Sequence, residues 1–367
     1  MAFSIGYSSP GQITQNLDVV LTLAFANAGN TIFDAISKNN AVFYEIKKRG
    51  SYEAISDVEP YIEVPLMYAL GTAEWYEGWD TLNTQPTEGV TGAVYPWRQL
   101  ACPAGYNRRE ARVTSTQKVK EISKLKIEQA QLTMIETFNR AFLQGNVNSP
   151  GGTLTTPQVS NTTSRSGIEP LPELIFYKSG GSYVQPSDAL SVGGLDQATR
   201  AWWRNWSHDL TGVSTYAAML AAFDEMFENC SKGAGGTPDL IICDHTTRRL
   251  LNSAYYQVYR RAMESDNDYP FDNLKFRGAY VVCDELVPNV HAGTTDTSVS
   301  TGLGTAYFIN TKFLKIKYDS QCNFTLTDLQ KPVNQDGKIG HVMWMGNCVM
   351  LNRRKHGVIG NIARTMT

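Results

Sequence analysis

Residues 59–113 read EPYIEVPLMYALGTAEWYEGWDTLNTQPTEGVTGAVYPWRQLACPAGYNRREARV, and the reading of the whole chain turns on them. Strand-forming residues flank turn chemistry at Thr84, Pro86 and Gly89. Two arms, Tyr61 to Trp79 and Val90 to Val113, are therefore expected to fold back on each other as an antiparallel hairpin. A lone two-stranded ribbon is marginal in water. Pro60, Pro65, Pro96 and Pro103 each remove a ladder donor and keep the arms out of the centre of a larger sheet. The same stretch carries Trp75, Tyr76, Trp79, Tyr95 and Trp97, whose apolar faces a free ribbon leaves wet. Something beyond the ribbon has to cover them. The expected cover is another copy of the same chain.

Working outward, the chain of 367 residues is longer than one core usually serves, so two or three lobes are expected. Its 33 Lys and Arg against 35 Asp and Glu give a net charge of −2, without the basic excess a nucleic-acid binder needs. The longest apolar window, Val19 to Ala28, falls well short of the roughly 18 residues of a membrane span, so no membrane partner is expected. Without a basic leader and signal core, secretion is not expected either. The six cysteines (Cys102, Cys230, Cys243, Cys283, Cys322, Cys348) show no CxxC and read as reduced. The glycosylation-type triplets at Asn161, Asn205, Asn229 and Asn323 then carry no meaning.

Before the ribbon, residues 1 to 16 read as an extended polar arm. Leu17, Val20, Leu21, Ala24, Phe25 and Ala28 then fall on one helical stripe that Gly29 ends. Broken helical periodicity continues through Ile32 and Phe43 to Gly50. After the ribbon, Thr114 and Gln117 make a capping box for a helix from Ser115 to about Leu143. One stripe of it holds Val119, Ile127, Ala130, Met134, Phe138 and Ala141. Another side holds Ile122, Leu125 and Leu132, so the helix should be gripped from two directions. Residues 146 to 200 turn rich in Gly, Ser, Thr and Pro and read as a polar surface loop carrying an apolar patch at Leu174 to Tyr177. Trp202, Trp203 and Trp206 should anchor its end.

From Ser214 helix and strand alternate. Met219 to Cys230 give a clean apolar helical face, Asp239 to Cys243 a short buried strand, and Leu251 to Ala262 a second helix. Strands follow at Ala279 to Cys283 and Thr305 to Ile309, which makes a compact α/β lobe. Phe313 to Tyr318, Phe324 to Thr327 and Val342 to Leu351 read as closing strands beside the long helix.

Chemistry is sparse. No GxSxG, Walker A, GxGxxG or HExxH pattern occurs, and no catalytic residue, cofactor or metal site is predicted. Cys243, Asp244 and His245 at a strand end suggest a metal or nucleophile site. A buried Cys243 with Asp244 capping the next helix is the simpler reading. Glu74, Glu77 and Asp80 near the hairpin end read as solvated charges or inter-subunit partners rather than an acid–base pair. Arg108, Arg109 and Arg112, interrupted by Glu110, read as partners for acidic groups of an adjacent subunit. The tryptophans at 202, 203 and 206 read as packed aromatics before a ligand platform.

The order of arm, long hairpin, spine helix, inserted α/β lobe and closing strands resembles the major capsid protein of tailed bacteriophages. That is the Hong Kong-type α+β capsid fold, shared with encapsulins. Four short motifs in the same order strengthen the likeness: Glu74 to Leu82 (EWYEGWDTL), Trp202-Trp203-Arg204-Asn205, Pro238-Asp239-Leu240-Ile241 and Phe308-Ile309-Asn310-Thr311. The resemblance implies an N-terminal arm at 1–50, an extended hairpin loop at 51–113 overlapping an adjacent subunit, and a spine helix at 114–145. It implies a polar insertion at 146–200, an axial α/β domain at 201–312 and closing strands of the peripheral domain at 313–367. Trp75, Tyr76, Trp79, Tyr95, Trp97, Arg108, Arg109 and Arg112 are then the expected inter-subunit contacts. The implied function is self-assembly into hexamers and pentamers of an icosahedral virion shell, built in the host cytoplasm. Packaged double-stranded DNA would be touched only weakly and non-specifically. The short arm leaves no room for a fused scaffolding segment, so a separate scaffolding protein, a portal and a decoration protein are the further implied partners. An encapsulin-like compartment and a soluble α/β enzyme are the alternatives.

Overall fold

The structure, a computed structural model, describes residues 41–56, 59–71, 73–82, 88–107, 116–144, 167–178, 180–188, 190–258, 274–287, 304–327, 330–331, 333 and 336–367. The arm and the helix expected at 17–28 lie outside them. The chain divides into two compact units. The larger comprises Asn39–Ala101, Met134–Thr325 and Met343–Thr367, the smaller Met1–Lys38, Cys102–Thr133 and Leu326–Val342.

In chain order, helix α1 (Ala41–Lys48) buries Val42 and Ile46, four apart, and ends on Lys47 and Lys48, where cations suit the helix C-terminus. Strand β1 (Tyr52–Ile55) follows. Strands β2 (Tyr61–Met67) and β3 (Val90–Pro96) pair antiparallel from Tyr61↔Pro96 to Met67↔Val90. Strand β4 (Arg98–Asn107) and the long helix α2 (Thr116–Gln144) come next. One-turn α3 (Leu171–Leu174) precedes a small hairpin of β5 (Ser191–Val192) and β6 (Leu195–Asp196). Then follow β7 (Trp206–Asp209), α4 (Tyr216–Ser231), β8 (Leu240–Cys243), α5 (His245–Val258) and β9 (Lys275–Phe276). The last strands are β10 (Ala279–Cys283), β11 (Gly304–Ile309), β12 (Leu314–Leu326), β13 (Gly337–Met350) and β14 (Gly357–Ile362).

The α/β lobe is a mixed six-stranded sheet in the order β7-β14-β11-β8-β10-β9. β8 runs parallel to β10 and β14 to β7, with the other pairs antiparallel. Met219, Phe223, Met226 and Cys230 repeat at helical spacing, so α4 buries one face against the sheet. Phe223 lies 5.3 Å from Phe308 and 5.8 Å from Phe276, both edge-on, as aromatic quadrupoles prefer. α5 begins as the sequence suggests: Asp244 accepts from the Thr246 N–H at 3.2 Å and from the Thr247 hydroxyl, and Cys243 is buried beneath it.

The second sheet has the order β1-β12-β13-β4, with β1 parallel to β12 from Tyr52↔Ile316 to Ile55↔Asp319. In the larger unit the second half of α2 buries Met134, Phe138, Phe142 and Leu143, and Phe138 meets Trp344 of β13 at 4.9 Å. The closing strands thus do lie beside the long helix. In the smaller unit the ends of β12 and β13 are tied where Thr327 N–H donates to His341 C=O at 2.8 Å.

Several expectations change. Pairing of the two arms stops at Met67 and Pro96 rather than at 79 and 113. Pro96 has no N–H to carry the ladder on, and Ala69-Leu70-Gly71 lacks β-branched residues. The chain past Pro96 joins a different sheet as β4. Residues 167–200 are no surface loop. Leu171, Leu174, Ile175, Phe176 and Tyr177 are all buried, so the apolar patch read at Leu174 to Tyr177 packs inward and outweighs the polar composition around it. The two strands read at 313–318 and 324–327 are one strand, β12, in which the polar run Asp319 to Asn323 hides the continuity. β7 and β14 were not foreseen: β7 is a four-residue edge strand, Trp-Ser-His-Asp, without a β-branched residue, and Gly357 and Gly360 weaken the strand signal of β14 in the sheet's interior. Leu132 is exposed, so the long helix is not gripped on that side there.

Candidate assembly surface

The ribbon alternates, as the pleat requires. Ile62, Val64 and Leu66 of β2 and Ala93 and Tyr95 of β3 are buried by the chain's own body. Tyr61, Met67, Val90 and Val94 stand on the exposed side. At Tyr68 the ring stacks on Trp202, centroids 5.2 Å apart and 17° from parallel. Beyond that stack the chain leaves its cover. Leu70, Tyr76 and Leu82 are exposed, and Trp75 and Trp79 are wholly so, at 104% and 103%. Of thirteen exposed large apolar side chains among the described residues, ten lie between Tyr61 and Val94. That concentration, rather than any single residue, marks the surface, since scattered exposed apolar groups are ordinary.

The tip is held in shape by a local turn. Asp80 accepts from the Glu77 N–H at 2.9 Å and donates its own N–H to Glu77 C=O at 3.2 Å, with Gly78 at φ +53°. Glu74 and Glu77 stand exposed in solvent, and Asp80 spends its carboxylate on the turn.

Of the five aromatic contacts expected here, Trp75, Tyr76 and Trp79 are exposed and Trp97 is half-buried, donating its Nε1–H to Glu59 C=O at 2.7 Å. Tyr95 is a correction. Its ring is fully buried inside its own subunit, because the strand alternation turns it inward, and burial pushes its hydroxyl well above the ordinary tyrosine range. Arg108, Arg109 and Arg112 lie outside the described residues.

The sequence motifs at 202–205, 238–241 and 308–311 are joints of the fold. Asp239 accepts from Thr311 N–H at 2.8 Å, from the Thr311 hydroxyl and from Arg49 Nη1 at 3.0 Å. Trp203 C=O and Asn205 Oδ1 accept from Arg353 at 3.1 Å each. Sequence reasoning missed Arg353. Its guanidinium is fully buried and also donates to Leu174 C=O and Gln197 Oε1, both at 2.9 Å. Burial lowers it to about 10, with the nearby Tyr95 pulling the other way. The one available signal was an Arg-Arg-Lys run set between two apolar strands. A cleft of about 560 Å³ beside α4 is lined chiefly by charged groups, and there Arg277 pairs with Asp224 at 2.9 Å and Glu228 at 3.0 Å.

No protein-family model matches the sequence, and no curated protein is significantly similar to it. Solved structures are similar. A chain of the cyanophage A-1(L) capsid superposes with a TM-score of 0.53 at 16% identity, covering 84% of this chain and 90% of that one. A chain from Gordonia phage Cozz gives 0.52 at 13% identity, covering 87% and 86%. An encapsulin from Synechococcus elongatus gives 0.51 at 10% identity, covering 94% and 96%.

Proposed function

This chain has the Hong Kong-type α+β capsid fold, and we propose that it is the structural subunit of a bacteriophage head. Copies associate into hexamers and pentamers and close an icosahedral shell around double-stranded DNA. The observation that carries this reading is the wholly exposed Trp75 and Trp79 on a ribbon whose root is buried. Each such side chain gains on the order of 3 kcal/mol when fully covered. The described residues of its own chain supply no cover, and a second copy of the chain does. Subunit interfaces of this kind commonly bury about 2,000 Å² or more. Its work is burial rather than catalysis. A net charge of −2 suits a wall that holds DNA without gripping it. A separate scaffolding protein, a portal and a decoration protein are the proposed partners, with assembly in the host cytoplasm.

Deleting residues 70–90 tests the reading. The expected result is soluble, folded protein that closes no shells by electron microscopy; full-size particles from the deletion overturn it. The long match to an encapsulin supports a second reading, a shell around protein cargo. The contents of purified particles decide between them, nucleic acid for the first and a co-purifying enzyme for the second.

A further inference from the structure

The exposed tip draws attention, but the root of the ribbon is the more constrained part. Four consecutive residues of the chain, Val94 to Trp97, are each tied to a different neighbour. Val94 N–H donates to Gly193 C=O at 3.0 Å. The Tyr95 hydroxyl lies between Met350 N–H at 3.3 Å and Met350 C=O at 3.4 Å. Pro96 C=O accepts from Asn347 Nδ2 at 2.9 Å, and the Trp97 indole ties the two arms together at Glu59 C=O. Asn347 is fully buried, and its other amide atom is also in use: Oδ1 accepts from Glu169 N–H at 2.9 Å and from Cys348 N–H at 2.8 Å. The fit around Tyr95 is close. Gly193, at φ +59°, occupies the turn between β5 and β6, and a Cβ there would lie 2.8 Å from the ring. On the β2 side the stack of Tyr68 on Trp202 marks where the covered ribbon ends.

From this contrast we infer that Asn347 and Tyr95 are positioning residues for assembly: they fix the direction in which the aromatic tip leaves the subunit. An isolated two-stranded ribbon twists and bends freely. A tip that must meet the same patch on every neighbour cannot be aimed by so soft an element alone. Among the described residues the hydrogen bonds from the ribbon's root to the body fall on β3, at Val94, Tyr95 and Pro96, while β2 adds apolar packing through Ile62, Val64 and Leu66. The aim controls how neighbouring subunits are inclined, and hence the uniformity of the shell. This rests on the shell reading above, whereas the aromatic tip supplies the affinity.

The test pairs two measurements on Tyr95→Phe and Asn347→Ala in the full chain. Tyr95→Phe keeps the ring and removes only the hydroxyl, so it folds even if Asn347→Ala does not. The first measurement is hydrogen exchange of residues 61–67 and 90–96 in unassembled subunits. Exchange there should accelerate at least tenfold, while residues 240–243 keep their protection. The second is the particle diameter distribution by electron microscopy. Unaltered chain should give one diameter; the variants should give mixed diameters, open sheets or tubes. Unchanged ribbon exchange in Tyr95→Phe, or variant particles as uniform as the unaltered ones, overturns the inference. If the unaltered chain forms no particles, alone or with a scaffolding protein, the shell reading falls, and the exchange still decides whether the root is clamped.

Discussion

The α/β lobe and the ribbon are both rich in aromatic rings, and they use them in opposite ways. In the lobe, Phe223, Phe227, Phe276 and Phe308 close on one another within a core supplied by α4 and the six-stranded sheet. In the ribbon, Trp75, Tyr76 and Trp79 meet no such partners among the described residues and are exposed. The difference lies in periodicity. The lobe's rings recur at spacings that put them on one face of a helix or strand, so a second element of the same chain can cover them. The tip's rings fall in irregular chain beyond the last paired residue, and no element among the described residues covers them. Aromatic content alone separates nothing; the presence or absence of a periodic partner decides whether the rings are buried or exposed.

The largest expected effect lies on the lobe side. Phe223→Ala removes a ring with two edge-on neighbours and should lower the stability of the unassembled chain by about 3–5 kcal/mol in chemical denaturation. A loss under about 1 kcal/mol would mean that the lobe's core is not the closed unit described here.

A second effect, somewhat smaller, comes from His356. Its imidazole is fully buried, its Nδ1 accepts from Asn310 N–H at 3.3 Å, and Nε2 has no partner among the described residues. Burial, and then the positive charge of Arg353, lowers it to about 3. In the unfolded chain a histidine titrates near 6.5, so below that pH the unfolded state takes the proton and the folded state does not. Stability should therefore fall as pH drops from about 6.5 toward 3, by up to about 1.4 kcal/mol per pH unit from this group. By pH 4.5 the contribution is about 2–3 kcal/mol. His356→Gln should flatten the acid limb by that amount in denaturation curves taken at successive pH values. Equal slopes in the two proteins would place the charged imidazole comfortably inside the fold and contradict the burial argument.

How much of this was legible in the sequence follows the same division. The helix at 216–231 and the strands at 240–243 and 279–283 stand close to where apolar spacing places them, because propensity, burial and length agree there. The arrangement around Arg353 was not legible. Its acceptors come from Leu174, Gln197, Trp203 and Asn205, and a single sequence carries no sign that such distant carbonyl and amide oxygens converge on one guanidinium. Tyr95 was misjudged for a related reason: being aromatic placed it with the tip, whereas its position in the strand alternation places it with Ala93 in the buried face. The exposed set Trp75, Tyr76 and Trp79 was legible because nothing around it has the spacing of a core.

The smallest stability effect belongs to the tip, and it is the sharpest probe of the comparison. Trp75→Ser together with Trp79→Ser replaces two wholly exposed indoles, so the unassembled chain should change by no more than about 0.5 kcal/mol. The same double variant should lose assembly in sedimentation. Dissociating the two quantities matters because a core residue cannot do it: Phe223→Ala impairs assembly only by unfolding the subunit. If the double variant instead destabilises the monomer by about 2 kcal/mol or more, the tryptophans are sheltered by their own chain in solution. The ribbon would then belong with the lobe, as part of a closed molecule, and the need for a neighbour would disappear with it.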